Sequence, residues 1–256
     1  MDNTLLGYVK TRIENRIATI HFHHPAHNSL PTHLLKALVK AIKTVGATPS
    51  VSIVILRSDG EKTFCAGASF DELAAISDFE TGKRFFMGFA NVINAMRECP
   101  KLIILRTQGK AIGGGVGLCS AADYCIATQY ASVKLSELAV GIGPFVIGPA
   151  VERKVGLSAF SEMAINATEW RTAEWAREKG LFNAVFDDIE QLDAYLAAFS
   201  STLAASNLEA MTELKRVFWK NTEGWSELLA ERAAISGRLV LSDFTKNAIA
   251  DFKQKK

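Results

Sequence analysis

The 256-residue sequence predicts an α/β fold with a helical C-terminal region. Three observations predict it. Strand-like apolar runs at Val51–Leu56, Lys101–Arg106 and Asp123–Ala127 are separated by stretches with helical apolar spacing. Two of these runs lead through small, glycine-bearing turns toward a helix start, at Gly67 and at Gly113 to Gly115. From Asp188 onward the apolar periodicity is helical throughout.

Tyr8–Glu14 and Ile17–Phe22, joined by Asn15-Arg16, predict a β-hairpin. His23 to Ser29 follows as a loop. His23, His24 and His27 sit in it without a nearby carboxylate or cysteine, so no metal site is expected. Pro31 to Val45 places apolar residues at 34, 35, 38, 39 and 42, one helical stripe with proline in its first turn. After the strand at 51–56, the segment Lys62 to Leu73 ends a strand and starts a helix near Ser69. Ser69 with Glu72 fits a capping box, and Asp71 and Glu72 are expected to face solvent. A helix is predicted over 79–99, a strand at 101–106, a small-residue helix at 116–122 and a strand at 123–127. Asp123, at a strand start, is expected to serve structure. Helices at 158–166 and 172–179 precede a strand at 181–186. Residues 1–190 are therefore expected to form a core that carries the site, and 191–256 a helical oligomerisation region. Trp219, Trp225 and Phe244 in that region suggest faces that pack on something.

Bulk properties exclude several classes. Net charge is +2, so no strong field for nucleic acid is implied. The uncharged run Leu138 to Val151 is too short and too rich in Gly and Pro to span a bilayer. Cys65, Cys99, Cys119 and Cys125 form no C-x-x-C pair and are expected to be reduced and buried in a cytoplasmic protein.

The chemistry-bearing stretch is Gly109-Lys-Ala-Ile-Gly-Gly-Gly-Val-Gly-Leu118, with five glycines. It lacks the G-x-G-x-x-G spacing of a dinucleotide site and the Gly-Lys-Ser/Thr ending of a P-loop. What it offers is backbone: glycines let a ligand approach main-chain N–H groups closely, and a helix start leaves such groups free. Two such turns can direct two N–H groups at one oxygen, an oxyanion hole. Glu137 is the one acid between Asp123 and Glu152 and stands in a Gly/Pro-rich region. A carboxylate beside a stabilised enolate can move the α-proton.

Phe64 to Leu73, Gly109 to Leu118 and Leu135 to Gly141 resemble, in order and spacing, the crotonase (enoyl-CoA hydratase/isomerase) superfamily along nearly the whole chain. The resemblance implies a spiral of ββα units with two roughly perpendicular sheets and a C-terminal helical region that drives assembly into a homotrimer or dimer of trimers. It implies an acyl-CoA thioester substrate, with coenzyme A as part of the substrate and no separate cofactor, and no nucleic-acid or membrane partner. It makes the N–H groups of Ala68 and Gly114 the oxyanion donors and Glu137 the acid/base. Family hydratases often carry a second glutamate where this chain has Gly117, and an aspartate where it has Ser69. Ala26, His27 and Ser29 match the loop that meets the CoA adenine, Ala66 and Phe70 flank the pantetheine, and Lys253 could reach the CoA phosphates. Ser136 to Ile147 is similar to the bacterial 3-methylglutaconyl-CoA hydratase branch. The expected function is hydration of an enoyl-CoA, with double-bond isomerisation as the alternative. A non-catalytic or RNA-binding protein on the same fold is disfavoured by the near-neutral charge and by the retained Glu137.

Overall fold

The chain winds through successive β-β-α units in a computed structural model that describes residues 6–254, and side chains as far as residue 251. The opening hairpin joins β1 (Tyr8–Glu14) to β2 (Ile17–His23), with Tyr8 opposite His23 and Glu14 opposite Ile17. Asn15 and Arg16 both have positive φ, 48° and 68°, which suits the right-handed twist of a two-residue turn. After α1 (Thr32–Ala47), strands come in pairs. In each pair β3 (Ile53–Ser58), β5 (Leu102–Thr107) and β7 (Tyr124–Thr128) enter a large sheet. Their partners β4 (Thr63–Cys65), β6 (Lys110–Ile112) and β8 (Ser132–Lys134) enter a small one. The large sheet runs β1-β2-β3-β5-β7-β10, with β10 at Ala184–Phe186, and every pairing after the hairpin is parallel. The small sheet runs β4-β6-β8-β9 and ends on the antiparallel β9 (Arg171–Thr172).

The long apolar strands have a reason. Val54, Leu56, Ile103 and Leu105 face the main core, while the alternating Ile53, Ile55 and Ile104 face a second one. That second core is covered by Leu192 and Leu196 of α7 (Ile189–Ala204) and Met211 of α8 (Leu208–Phe218). On the other side α3 (Phe79–Glu98) crosses α9 (Trp225–Leu239) closely. A Cβ on Gly82 would come within 2.9 Å of the Gly237 carbonyl oxygen.

Several expectations need correction. Glu72 does not face solvent: its carboxylate accepts from Thr32 N–H at 2.9 Å and Thr32 Oγ1 at 2.7 Å. The first turn of α1 needs an acceptor, and its leading Pro31 has no side-chain acceptor to give. Ser69 does accept from Glu72 N–H, so half of the capping box forms ahead of α2 (Phe70–Ala74). The glycine stretch is partly strand, since Lys110–Ile112 pairs with β4 and β8. The helix predicted at 158–166 is longer: α5 spans Gly148–Ile165 and is interrupted at Gly156, where φ is 78°. Pro149 fits its first turn because no N–H is needed there. The strand predicted at 181–186 begins only at Ala184, because Leu181 and Phe182 donate to Ala176 O and close α6 (Ala173–Glu178).

Trp219 and Trp225 do not offer a face to a partner. They are buried, edge to face at 5.7 Å, and the Trp219 indole N–H donates to Asp123 at 2.8 Å. A large indole behind α3 finds both apolar cover and an acceptor within the chain, which is what a buried tryptophan requires. Phe244, on α10 (Asp243–Gln254), remains exposed. All four cysteines are free and buried. Among the described residues no helix is long and apolar enough to cross a membrane.

Candidate active site

The site lies where the small sheet ends. After β4 the chain passes Ala66, Gly67 and Ala68; after β6 it passes Gly113 into α4 (Gly114–Ala121); after β8 it reaches Glu137. Parallel strands release their C-terminal ends on one side, so three segments distant in sequence converge there.

The two turns touch. A Cβ built on Gly67 would stand 3.5 Å from Gly114 N, so the first turn lies directly against the start of α4. Leu30 N–H donates to Gly67 O at 2.8 Å, and no backbone acceptor among the described residues takes the Ala68 N–H. Gly114 is the first residue of a wholly buried helix, so its N–H has no acceptor within that helix, and the helix dipole favours negative charge there. Ala68 and Gly114 therefore present two main-chain donors on adjoining turns.

Glu137 completes the arrangement. Gly113 has φ 51°, a conformation glycine tolerates, and a Cβ there would come within 2.7 Å of Glu137 Oε1. The carboxylate thus sits, Oε1 foremost, against the backbone that leads into Gly114. Its Oε2 is buried without a hydrogen-bond partner among the described residues. Burial pushes the Glu137 carboxyl up to about 7, partly offset by the N–H groups of residues 137 and 136. An acid with one oxygen left without a partner, held near neutrality at the edge of a cleft, can take and return a proton at physiological pH.

Asp123 has a different role, as expected. It accepts from Lys215 Nζ at 2.7 Å, Trp219 Nε1 at 2.8 Å and Ile103 N–H at 2.7 Å. Position 117, the place of a second glutamate in family hydratases, is closed by packing. A Cβ on Gly117 would meet Ile147 Cγ2 at 2.6 Å, so Ile147, the residue just before α5, fills the space a second carboxylate would need.

A cleft of about 950 Å³ opens on these groups. Ala26, His27, Ser29, Ala66 and Phe70 all border it. His27 carbonyl accepts from Ala66 N–H at 3.2 Å, which ties the 24–29 loop to the first turn. His24 Nδ1 lies 3.0 Å from Ser29 Oγ and 3.3 Å from Ala26 N within that loop. Burial, then the neighbouring His33 and His23, lowers the pKa of His24. Lys253 falls in α10, and its side chain lies outside the described residues. The cleft also draws in residues that sequence reasoning passed over, notably Lys134 and Trp170, together with Lys110. Nothing local signals that trio, since β6, β8 and the segment before β9 meet only through the small sheet.

The Enoyl-CoA hydratase/isomerase family model matches residues 12–253. A peroxisomal Delta(3,5)-Delta(2,4)-dienoyl-CoA isomerase of Arabidopsis thaliana is 26% identical over 98% of this chain and 95% of its own. A mitochondrial methylglutaconyl-CoA hydratase of Homo sapiens is 33% identical over 65% of this chain, and the match spans about half, 49%, of that protein's length. The crystal structure of an enoyl-CoA hydratase from Bacillus halodurans superposes with a TM-score of 0.88 at 20% identity, over 95% of this chain and 99% of that one. The α/β spiral with two sheets is thereby the fold of these structures.

Proposed function

The chain belongs to the enoyl-CoA hydratase/isomerase family, and from that premise we propose that it hydrates an α,β-unsaturated acyl-CoA thioester. The observation that carries this is the Glu137 carboxylate against Gly113, with its Oε2 buried and unpartnered, one residue from the Gly114 donor. The thioester oxygen accepts from Ala68 and Gly114 N–H. Glu137 takes a proton from water as the water oxygen bonds to the β-carbon. The electron pair of the double bond moves onto the thioester oxygen as an enolate, which the two donors and the α4 dipole stabilise. Glu137 then returns its proton to the α-carbon, and the thioester re-forms. One water is added, and the acid ends as it began.

The CoA moiety is assigned to the side of the cleft bordered by Ala26, His27, Ser29, Ala66 and Phe70, with Lys253 of α10 as a candidate for its phosphates. A branched acyl group such as methylglutaconyl is supported by the likeness of Ser136 to Ile147 to that branch. Self-association through the helices after residue 190 belongs to the same reading. It is supported by exposed Leu214, Val217 and Phe218 on α8. The four unbridged, buried thiols support a reducing compartment such as the cytoplasm.

Isomerisation is the second reading, and Ile147 against Gly117 favours it. A single carboxylate can lift a proton from one carbon and set it on another. Hydration asks it to hold water as well. Incubation with an α,β-enoyl-CoA and with its β,γ isomer in ¹⁸O-labelled water separates the two. Labelled 3-hydroxyacyl-CoA from the first substrate is the expected product. Double-bond migration with no label in any product would replace the hydratase by the isomerase.

A further inference from the structure

On the face of the small sheet that borders the cleft, two ammonium groups share one ring. Lys110 Nζ lies 5.1 Å and Lys134 Nζ 4.6 Å from the centroid of Trp170. All three residues border the cleft. Among the described residues neither lysine has an ion-pair or hydrogen-bond partner for its Nζ, although the acids Asp71 and Asp251 border the same cleft. Burial first, and the charge of Lys110 second, lower the pKa of Lys134, so the two cations are close enough to repel. The indole face offsets part of that repulsion. Two like charges gathered without an acid make a site that an anion completes.

The place of the pair indicates which anion. Lys134 is in register with Ile112, and its carbonyl accepts from Gly113 N–H at 2.9 Å. Its backbone is therefore tied to the residue that precedes the Gly114 donor. The CoA phosphates are separated from the thioester by the whole pantetheine arm, whereas a carboxylate on a short acyl chain stays within a lysine's reach of it. We propose that Lys134 and Lys110, held over Trp170, form an anion subsite for a carboxylate on the acyl group, so that the substrate is the monothioester of an unsaturated dicarboxylic acid. This rests on the acyl-CoA reading given above.

The test compares glutaconyl-CoA with pentenoyl-CoA, which has the same chain length and a methyl in place of the carboxylate. The readout is the ratio of their kcat/KM values. The wild type is expected to favour glutaconyl-CoA by about 10–100-fold, the size of one or two hydrogen bonds to a charged group. Lys134→Ala is expected to lower that ratio at least about ten-fold, and Lys134→Arg to keep most of it. Lys110→Ala, at an exposed position, should lower it in the same direction and serves if Lys134→Ala fails to fold. A wild-type ratio near one, or a ratio that the lysine variants leave unchanged, overturns the subsite while leaving the hydratase intact. Repeating the series with the 3′-dephospho thioesters identifies the other source of anion. If the lysine effect follows the CoA phosphate and not the acyl carboxylate, the proposal is wrong. Should neither thioester turn over, the activity reading fails, and the subsite is judged by thermal shift. A larger rise in Tm with glutaconyl-CoA than with pentenoyl-CoA, lost in Lys134→Ala, supports it, and equal or absent shifts overturn it.

Discussion

Asp123 and Glu137 stand fourteen positions apart as the acids flanking β8, and the chain treats them in opposite ways. Asp123 is surrounded by donors: a buried ammonium, an indole and a backbone N–H all point at it. Glu137 has a buried oxygen with no donor, and its proton is held up to about pH 7. A carboxylate whose lone pairs are all engaged holds parts of a fold together. One that is deprived of partners is poised to exchange a proton. The difference teaches that saturation, more than burial, separates a structural acid from a chemical one.

The largest effect expected from this contrast is kinetic. Glu137→Gln keeps the shape and removes the proton acceptor. Because one acid serves both proton steps, turnover of an enoyl-CoA substrate should fall near the upper end of acid/base effects, about 10⁴-fold. Binding of the thioester, read by thermal shift, should persist. A variant with most of the wild-type kcat would remove Glu137 from the chemistry and dissolve the contrast.

Asp123→Asn should give the opposite pattern. The substitution leaves the Lys215 ammonium, whose side chain is 3% exposed, buried without its counter-charge. Breaking one side of such a pair costs about 3–5 kcal/mol. Urea unfolding should show that loss, while kcat per folded molecule stays as in the wild type. A stable Asp123→Asn protein with impaired kcat would place this acid in the chemistry instead.

How much of this was legible before folding differs by element. The hairpin, the buried strands and the start of α4 are written locally, in alternation, apolar runs and glycines. So were the three parts of the candidate site, because each sits in its own short segment, and resemblance placed them in one scheme. What could not be read is long-range. Glu72 looked solvent-facing because its acceptor role is to Thr32, forty residues earlier. Trp219 and Trp225 looked like faces for a partner because Asp123, which accepts from the Trp219 indole, lies almost a hundred residues earlier, and Trp225 packs on that same indole. Ile147 at the door of Gly117, and the meeting of Lys110, Lys134 and Trp170, depend on how α5 and the small sheet close around the cleft.

The smallest predicted effect is thermodynamic, and its sign is fixed by the direction of the Glu137 shift. The unfolded chain releases this proton near the ordinary 4.5, whereas the folded protein keeps it to about 7. Between those values the folded state binds more protons than the unfolded one, so stability falls as pH rises from about 4.5 to about 7 and is level on either side. The 2.5-unit gap corresponds to at most ~3 kcal/mol, with solvent in the cleft reducing it. Glu137→Gln cannot titrate and should lack that slope. Urea unfolding of both proteins at pH 5 and pH 8 checks it: the Gln variant should gain on the wild type as pH rises, by at most ~3 kcal/mol. Asp123→Asn offers the control, since it should lower stability without abolishing the slope that Glu137 imposes. Parallel pH profiles for wild type and Glu137→Gln would mean that the carboxylate is not held in its acid form by the fold. Glu137 would then take its proton from water as an ordinary carboxylate, a weaker base than the raised pKa makes it.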